Sequence, residues 1–104
     1  MAVFFTVARV GEIPDGRGRT FHVGDHEIAV FCRGGRYYAL DDYCPHMGAS
    51  LGASDLHGEH VLCNRHMWAF SVIGGTSPDV PMLRAQTFEV RVVGDEIQVA
   101  VPEK

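Results

Sequence analysis

Glycine and proline interrupt this chain so often that little room remains for a long helix. Twelve Gly and five Pro are spread over 104 residues, and no long stretch repeats its apolar side chains with helical period. Short segments with alternating apolar side chains remain between the turns. We predict strands at residues 3–10, 19–23, 27–33, 36–40, 60–63, 67–71, 87–93 and 96–101. Regular short strands separated by turns predict an all-β fold, a small antiparallel sandwich or barrel.

Two turns predict β-hairpins with particular clarity. Apolar and polar side chains alternate on both sides of Gly94-Asp95, a dipeptide common in tight hairpin turns. A two-glycine turn, Gly34-Gly35, separates two further strand segments in the same way. Because each hairpin joins strands that are adjacent in sequence, both are expected to be antiparallel.

Size and charge exclude several classes of protein. A chain of 104 residues and 11.4 kDa provides one domain. A formal charge of −4 lacks the basic surface that nucleic-acid binding requires, and suits a partner with a basic docking face. No apolar run is long enough to span a membrane, and the amino terminus lacks the features of a secretory signal. We therefore expect a cytoplasmic protein, in which spaced cysteines more often bind metal than form disulfides.

Two segments, 41–58 and 72–84, break the alternation and are long for loops in so small a domain. The first contains Cys44-Pro45-His46, and Cys63-Asn64-Arg65-His66 follows after sixteen intervening residues. Two thiolates and two imidazoles could hold a tetrahedral zinc ion, or a [2Fe–2S] cluster in which His replaces Cys on one iron. Each motif pairs one Cys with one His, which favours two loops that reach across a two-iron core.

The chain resembles the Rieske family over nearly its whole length. Residues 37–46, YYALDDYCPH, are similar to that family's approach to its first ligand loop, and residues 74–81, with Gly74-Gly75 and two prolines, resemble its third, proline-bearing loop. The resemblance implies a Rieske-type antiparallel β sandwich or barrel with a small cluster-binding subdomain of loops. It implies a single domain, 1–104, with the cluster-binding subdomain at about 41–84 inserted in a basal β domain.

The resemblance also implies the cofactor and its ligands. One [2Fe–2S] cluster per chain would be held by four side chains, with the thiolates on one iron and the imidazoles on the other. These ligands are Cys44, His46, Cys63 and His66. No catalytic residue is expected, because a chain this short has no separate catalytic domain.

Departures from the high-potential respiratory branch predict a low reduction potential. That branch has an extra Cys in each ligand loop, whereas the corresponding positions here are Ala49 and Arg65. It also has a Ser and a Tyr that donate to sulfur, whereas Trp68 and Phe70 stand at those positions. Fewer donors stabilise the reduced cluster less, which lowers its potential. The run 66–70 resembles instead the soluble ferredoxins of toluene-type monooxygenases and ring-hydroxylating dioxygenases.

As implied by this resemblance, the chain would be a one-electron carrier and not an enzyme. Electrons would come from a flavin-containing NAD(P)H reductase and pass to a terminal oxygenase, as in aromatic hydrocarbon catabolism. No nucleic acid, membrane or directly bound small-molecule substrate is expected. The alternative is the small Rieske subunit of assimilatory NAD(P)H nitrite reductase.

The remaining candidate residues have structural interpretations. His57 and His60 lie close to Cys63 and compete as ligands, but neither has the family's spacing from a Cys. Cys32 lies in an apolar run and is expected to be a buried, inert side chain. Four acidic residues are expected mostly on solvated faces, where a subset could steer a basic partner: Asp41, Asp42, Asp55 and Asp79.

Overall fold

The computed structural model describes residues 2–24, 26–42, 51–52, 56–62, 69–77 and 85–102. Every regular element in these ranges is a β-strand, as the alternation predicted. The strands are β1 (Ala2–Arg9), β2 (Gly18–Val23), β3 (His26–Arg33), β4 (Arg36–Asp41), β5 (Leu56–His57), β6 (His60–Leu62), β7 (Ala69–Ser71), β8 (Thr87–Phe88), β9 (Val90–Val93) and β10 (Glu96–Pro102).

The strands pair antiparallel in three sheets. Their orders are β1-β10-β9, β2-β3-β4-β8 and β5-β6-β7. The first two sheets pack on a shared core, to which β3 and β10 contribute alternate apolar side chains. The third sheet packs on a second core, to which β3 and β4 also contribute.

Strand β3 separates these two cores because both of its faces are buried. Ile28, Val30 and Cys32 lie in the first core, whereas Ala29 and Phe31 lie in the second. A strand buried on both faces is apolar at every position and does not alternate. This explains the unbroken apolar run of β3 and places the third sheet on the outer face of the four-stranded sheet.

Both predicted hairpins are confirmed. Gly94 adopts a φ of 63° in the turn between β9 and β10, and Val93 pairs with Glu96 across it. Gly34 and Gly35 have φ values of 60° and 80° between β3 and β4. Successive positive φ values match the right-handed twist of the flanking strands, which is why glycines occupy this turn.

The predicted single strand at 87–93 is wrong, because the chain changes sheets at Glu89. Phe88 pairs with Ala39 of β4, whereas Val90 pairs with Val99 of β10. Phe88 and Val90 nevertheless both contact the first core. The alternation therefore continues across the junction although the hydrogen-bonding partner changes.

Strand β5 was not predicted and lies within the segment 41–58. It has only two residues, Leu56 and His57, which is too short for alternation to be visible. Leu56 pairs with Val61 and packs against the second core. The other strand bounds differ from the predicted ones by a residue or two, while residues 63, 67 and 68 of two predicted strands lie outside the described residues.

Candidate metal centre

The four predicted ligands lie outside the described residues, but the structure describes both ends of each loop that contains them. Cys44 and His46 belong to 43–50, and Cys63 and His66 belong to 63–68. The predicted proline-bearing loop includes a third such segment, 78–84. The residues that flank these segments therefore define how the chain presents them.

The two ends of segment 43–50 are joined through Asp42. The Leu51 N–H donates to the Asp42 carbonyl oxygen at 2.9 Å, and the Gly52 N–H donates to Asp42 Oδ1 at 2.7 Å. Thr20 Oγ1 of β2 also donates to Asp42 Oδ1, at 2.9 Å. The loop thus leaves and rejoins the fold at one fixed point, beside the end of β4.

Asp42 is also a correction to the sequence-based expectation of a solvated acid. The residue is 3% exposed, and its side chain accepts hydrogen bonds from two different parts of the chain. A buried polar group is tolerated when it is hydrogen-bonded in this way. Asp41 is half-buried, and Asp55 and Asp79 lie outside the described residues.

Segment 63–68 connects the neighbouring strands β6 and β7. Leu62, immediately before Cys63, pairs with Ala69 across the hairpin. One step further from the loop, Val61 pairs with Phe70, and both side chains are fully buried in the second core. The antiparallel pairing fixes the separation of the two ends of this loop.

Segment 78–84 is closed by Gly75. The Ala85 N–H donates to the Gly75 carbonyl oxygen at 2.8 Å, and Gly75 itself has a φ of 77°. The next residue, Gln86, accepts a 2.7 Å hydrogen bond from the Asp41 N–H at the end of β4. The end of this segment therefore lies beside the start of the first loop.

The flanks of all three segments share one apolar core. Leu51, Val61, Phe70 and Ala85 are buried together in the second core, against β3 and β4. The structure thus brings together the attachment points of the Cys44/His46 loop, the Cys63/His66 loop and the predicted proline-bearing loop. It does not describe the four ligands themselves.

The structure describes the three residues that compete as ligands or that carry a further thiol. Cys32 is a buried free thiol in the first core, as predicted, and the opposite face of β3 points to the second core. His57 and His60 are paired directly across the β5–β6 turn, with His57 exposed and His60 half-buried. Among the described residues, no three His, Cys, Asp or Glu side chains form a group that could hold a metal ion.

Comparison with known proteins assigns the family. The Rieske [2Fe–2S] domain matches residues 3–93. The chain belongs to the Rieske [2Fe–2S] family. The family assignment, the all-β fold and the single [2Fe–2S] cluster that such a domain carries are thereby confirmed. Two thiols and two imidazoles on loops anchored at both ends are a donor set that fits this cluster.

Three similar proteins extend the comparison. The ferredoxin component of the alkene monooxygenase system of Xanthobacter autotrophicus (strain ATCC BAA-1158 / Py2) is 34% identical over 97 residues, covering 92% of this chain and 80% of that protein. A solved complex of reduced oxygenase and oxidised ferredoxin in carbazole 1,9a-dioxygenase contains a chain that is 31% identical, with a TM-score of 0.87 and coverage of 97% and 95%. A protein from Mycobacterium tuberculosis assigned as an NADH-dependent nitrite reductase small subunit has a TM-score of 0.92, 22% identity and coverage of 100% and 99%.

The family assignment also confirms the predicted type of function. Sequence relatives that are 34% and 36% identical are ferredoxins, which carry electrons and do not convert the substrate themselves. The nitrite reductase likeness, at 22% identity, shows the fold alone. Within the described part of the chain, no helix is long and apolar enough to cross a membrane.

The sequence did not identify Thr20 and Gly52 as parts of this site. Both contact the Asp42 carboxyl group, although Thr20 lies 22 residues before it.

Proposed function

We propose that this Rieske protein carries one electron at a time from a flavin-containing NAD(P)H reductase to a terminal oxygenase in the cytoplasm. Cys44 and Cys63 would hold one iron, and His46 and His66 the other. The cluster-binding subdomain would span about 41–84 within the single domain 1–104. When bound, the [2Fe–2S] cluster supplies a reversible one-electron redox centre.

The core shared by the ends of the two loops is the strongest support for this proposal. Leu51, Val61 and Phe70 flank the two ligand-bearing loops and are fully buried in the same core. Backbone pairing at Leu62 and Ala69 holds the second loop, while hydrogen bonds to Asp42 hold the first. Two rigidly attached loops, each with one Cys and one His, suit a cluster with one thiolate and one imidazole contributed by each loop.

The described residues also support a low potential. Phe70 occupies the position where high-potential relatives are expected to have a tyrosine, and its side chain is fully buried. It contributes packing to the second core and has no hydroxyl group to donate to sulfur. Donors to sulfur raise the reduction potential of a Rieske centre. The lack of a hydroxyl group at Phe70 therefore supports a reduction potential at the low end of the family's range.

The relatives support the choice of partner. A ferredoxin that is 31% identical over nearly its whole length forms a complex with a carbazole 1,9a-dioxygenase oxygenase. The net charge of −4 is suited to an oxygenase surface with basic groups. Such an association weakens as salt screens the charges.

The proposal is tested by a three-component turnover assay. The holoprotein is combined with NADH, a flavin-containing reductase and an oxygenase component from an alkene monooxygenase or a ring-hydroxylating dioxygenase system. We expect substrate oxidation that depends on the protein, is lost in His66→Ala and is retained in the neighbouring control His57→Ala. Full turnover with His66→Ala, or stable co-purification of the protein with a sirohaem subunit and no transfer to any oxygenase, would contradict the proposal.

A further inference from the structure

We propose that the Thr20–Asp42–Gly52 contact, here called the Asp42 bridge, is a positioning device that controls how firmly the first ligand loop retains the cluster. Thr20 is then a positioning residue on β2, a strand that contains no predicted ligand. This inference rests on the proposed ligand roles of Cys44 and His46, and it adds a residue that acts on them through Asp42.

The bridge connects the loop to a strand on the far side of β3. In the four-stranded sheet the order is β2-β3-β4-β8, and Asp42 directly follows the end of β4. Its N–H donates to the Glu27 carbonyl oxygen of β3 at 2.9 Å. Its side chain reaches the Thr20 hydroxyl of β2. The start of the loop is therefore tied to two strands besides the one it leaves.

One oxygen atom of Asp42 binds both β2 and the residue at the end of the loop. Asp42 Oδ1 accepts from Thr20 Oγ1 at 2.9 Å and from the Gly52 N–H at 2.7 Å. The Leu51 N–H adds a hydrogen bond to the Asp42 carbonyl oxygen. The described residues before and after 43–50 thus meet at a single buried residue, Asp42.

Gly52 is required by this close approach. A Cβ atom placed on it would collide with Thr20 Oγ1 and would lie 2.9 Å from Asp42 Oδ1. Any side chain at this position would push the hydroxyl and carboxyl groups apart. The absence of a side chain at residue 52 is therefore part of the bridge.

The bridge matters for the cluster because Cys44 lies two residues after Asp42. A metal ligand keeps its geometry when the groups behind it are held by hydrogen bonds. If the Thr20 hydroxyl is removed, the buried Asp42 oxygen loses one of its two donors described above and binds the loop end less firmly. Loss of one hydrogen bond changes an equilibrium constant by about fivefold, here the constant between the bound and the released loop end.

The test compares cluster loss in matched variants of the holoprotein. Thr20→Val removes the hydroxyl with little change of shape, and Thr20→Ser keeps it. Thr6→Val is the control. The Thr6 hydroxyl also donates to a carboxyl group, that of Glu96, but this contact is exposed and lies on the sheet β1-β10-β9. Each protein is mixed with an iron chelator well below its unfolding temperature, and the visible absorbance of the cluster is followed.

We expect Thr20→Val to lose its cluster about fivefold faster than the wild type, and Thr20→Ser and Thr6→Val to lose it at the wild-type rate. Hydrogen exchange at the Leu51 and Gly52 amides should rise in Thr20→Val only. If Thr20→Val does not fold, Asp42→Ala, which removes the acceptor of both hydrogen bonds, is measured in the same way, and faster cluster loss is again expected.

Two results would overturn the inference in different ways. If the wild type has a Rieske spectrum and the Thr20 or Asp42 variant loses the cluster at the wild-type rate, the bridge does not position the loop and the proposed function stands. If the wild-type protein contains no iron and no acid-labile sulfide, the ligand assignment fails and the bridge role fails with it.

Discussion

The peptide N–H of Ala85 donates to the carbonyl oxygen of Gly75 at an N···O distance of 2.8 Å, so that the described chain before segment 78–84 is held to the chain after it. Gly75 has a φ of 77°, and a Cβ atom on it would collide with the Ala85 carbonyl oxygen. Glycine is therefore required at residue 75 for two separate reasons, backbone conformation and close approach.

This relationship predicts a large effect of Gly75→Ala on stability. Gly94 supplies a matched control, because its φ of 63° is also left-handed but no atom lies within 4 Å of the position of its Cβ. We expect Gly94→Ala to lower the free energy of unfolding by about 1–2 kcal/mol, the cost of the left-handed backbone. Gly75→Ala should cost about 1–3 kcal/mol more, because the collision adds to it. Urea unfolding of both variants measures this, and equal losses would contradict the close-approach argument.

Cys32 gives a prediction that separates burial from ligation. It lies in the first core and is 6% exposed. We expect Cys32→Ala to leave the iron content and visible spectrum unchanged and to reduce the free energy of unfolding by about 1 kcal/mol. Cys63→Ala should abolish the cluster. Loss of the spectrum in the Cys32 variant would mean that the ligand set is wrong.

The two histidines that compete as ligands are tested in the same way. His57 and His60 are paired across the β5–β6 turn, outside both ligand motifs. We expect His57→Gln and His60→Gln to bind iron and sulfide like the wild type, whereas His46→Gln and His66→Gln lose the normal cluster. Iron analysis and EPR of the reduced proteins measure the outcome. A His60→Gln protein without a Rieske signal would assign that histidine to the cluster.

The midpoint potential tests the role assigned to the Phe70 position. Rieske centres span about −150 to +300 mV, and the lack of a hydroxyl group at this buried side chain predicts a value below about 0 mV at neutral pH. A redox titration followed by EPR measures it. A midpoint near +300 mV would contradict the assignment of a low potential to the missing hydroxyl donor.

The strand pattern could be predicted from the sequence where alternation and turns agree. The hairpins around Gly94 and around Gly34-Gly35 are of this kind, because their turn glycines occupy positive-φ positions. The break at Glu89 could not be predicted in this way. Phe88 and Val90 face the same core, so the sequence alternates normally while the chain passes from one sheet to another.

Some features of the site could likewise be predicted from the sequence, and others could not. The Cys and His spacing favoured a two-iron cluster over a zinc ion, and the family resemblance implied it, since ligand chemistry depends on residue types that can be read directly. The burial of Asp42 could not be predicted, because it depends on Thr20 from a strand earlier in the chain and on the close approach that Gly52 allows by having no side chain. An acid is usually exposed, and only the folded arrangement supplies the donors that allow it to be buried.

Iron and acid-labile sulfide analysis of freshly purified protein, combined with pulsed EPR of its reduced form, decides whether two Cys and two His hold a [2Fe–2S] cluster. We expect two irons and two sulfides per chain, and nitrogen couplings from coordinated imidazole that disappear with His46→Gln or His66→Gln. A single zinc ion with no sulfide, or a [2Fe–2S] centre with no nitrogen coupling, would contradict the assignment of Cys44, His46, Cys63 and His66 as the ligands.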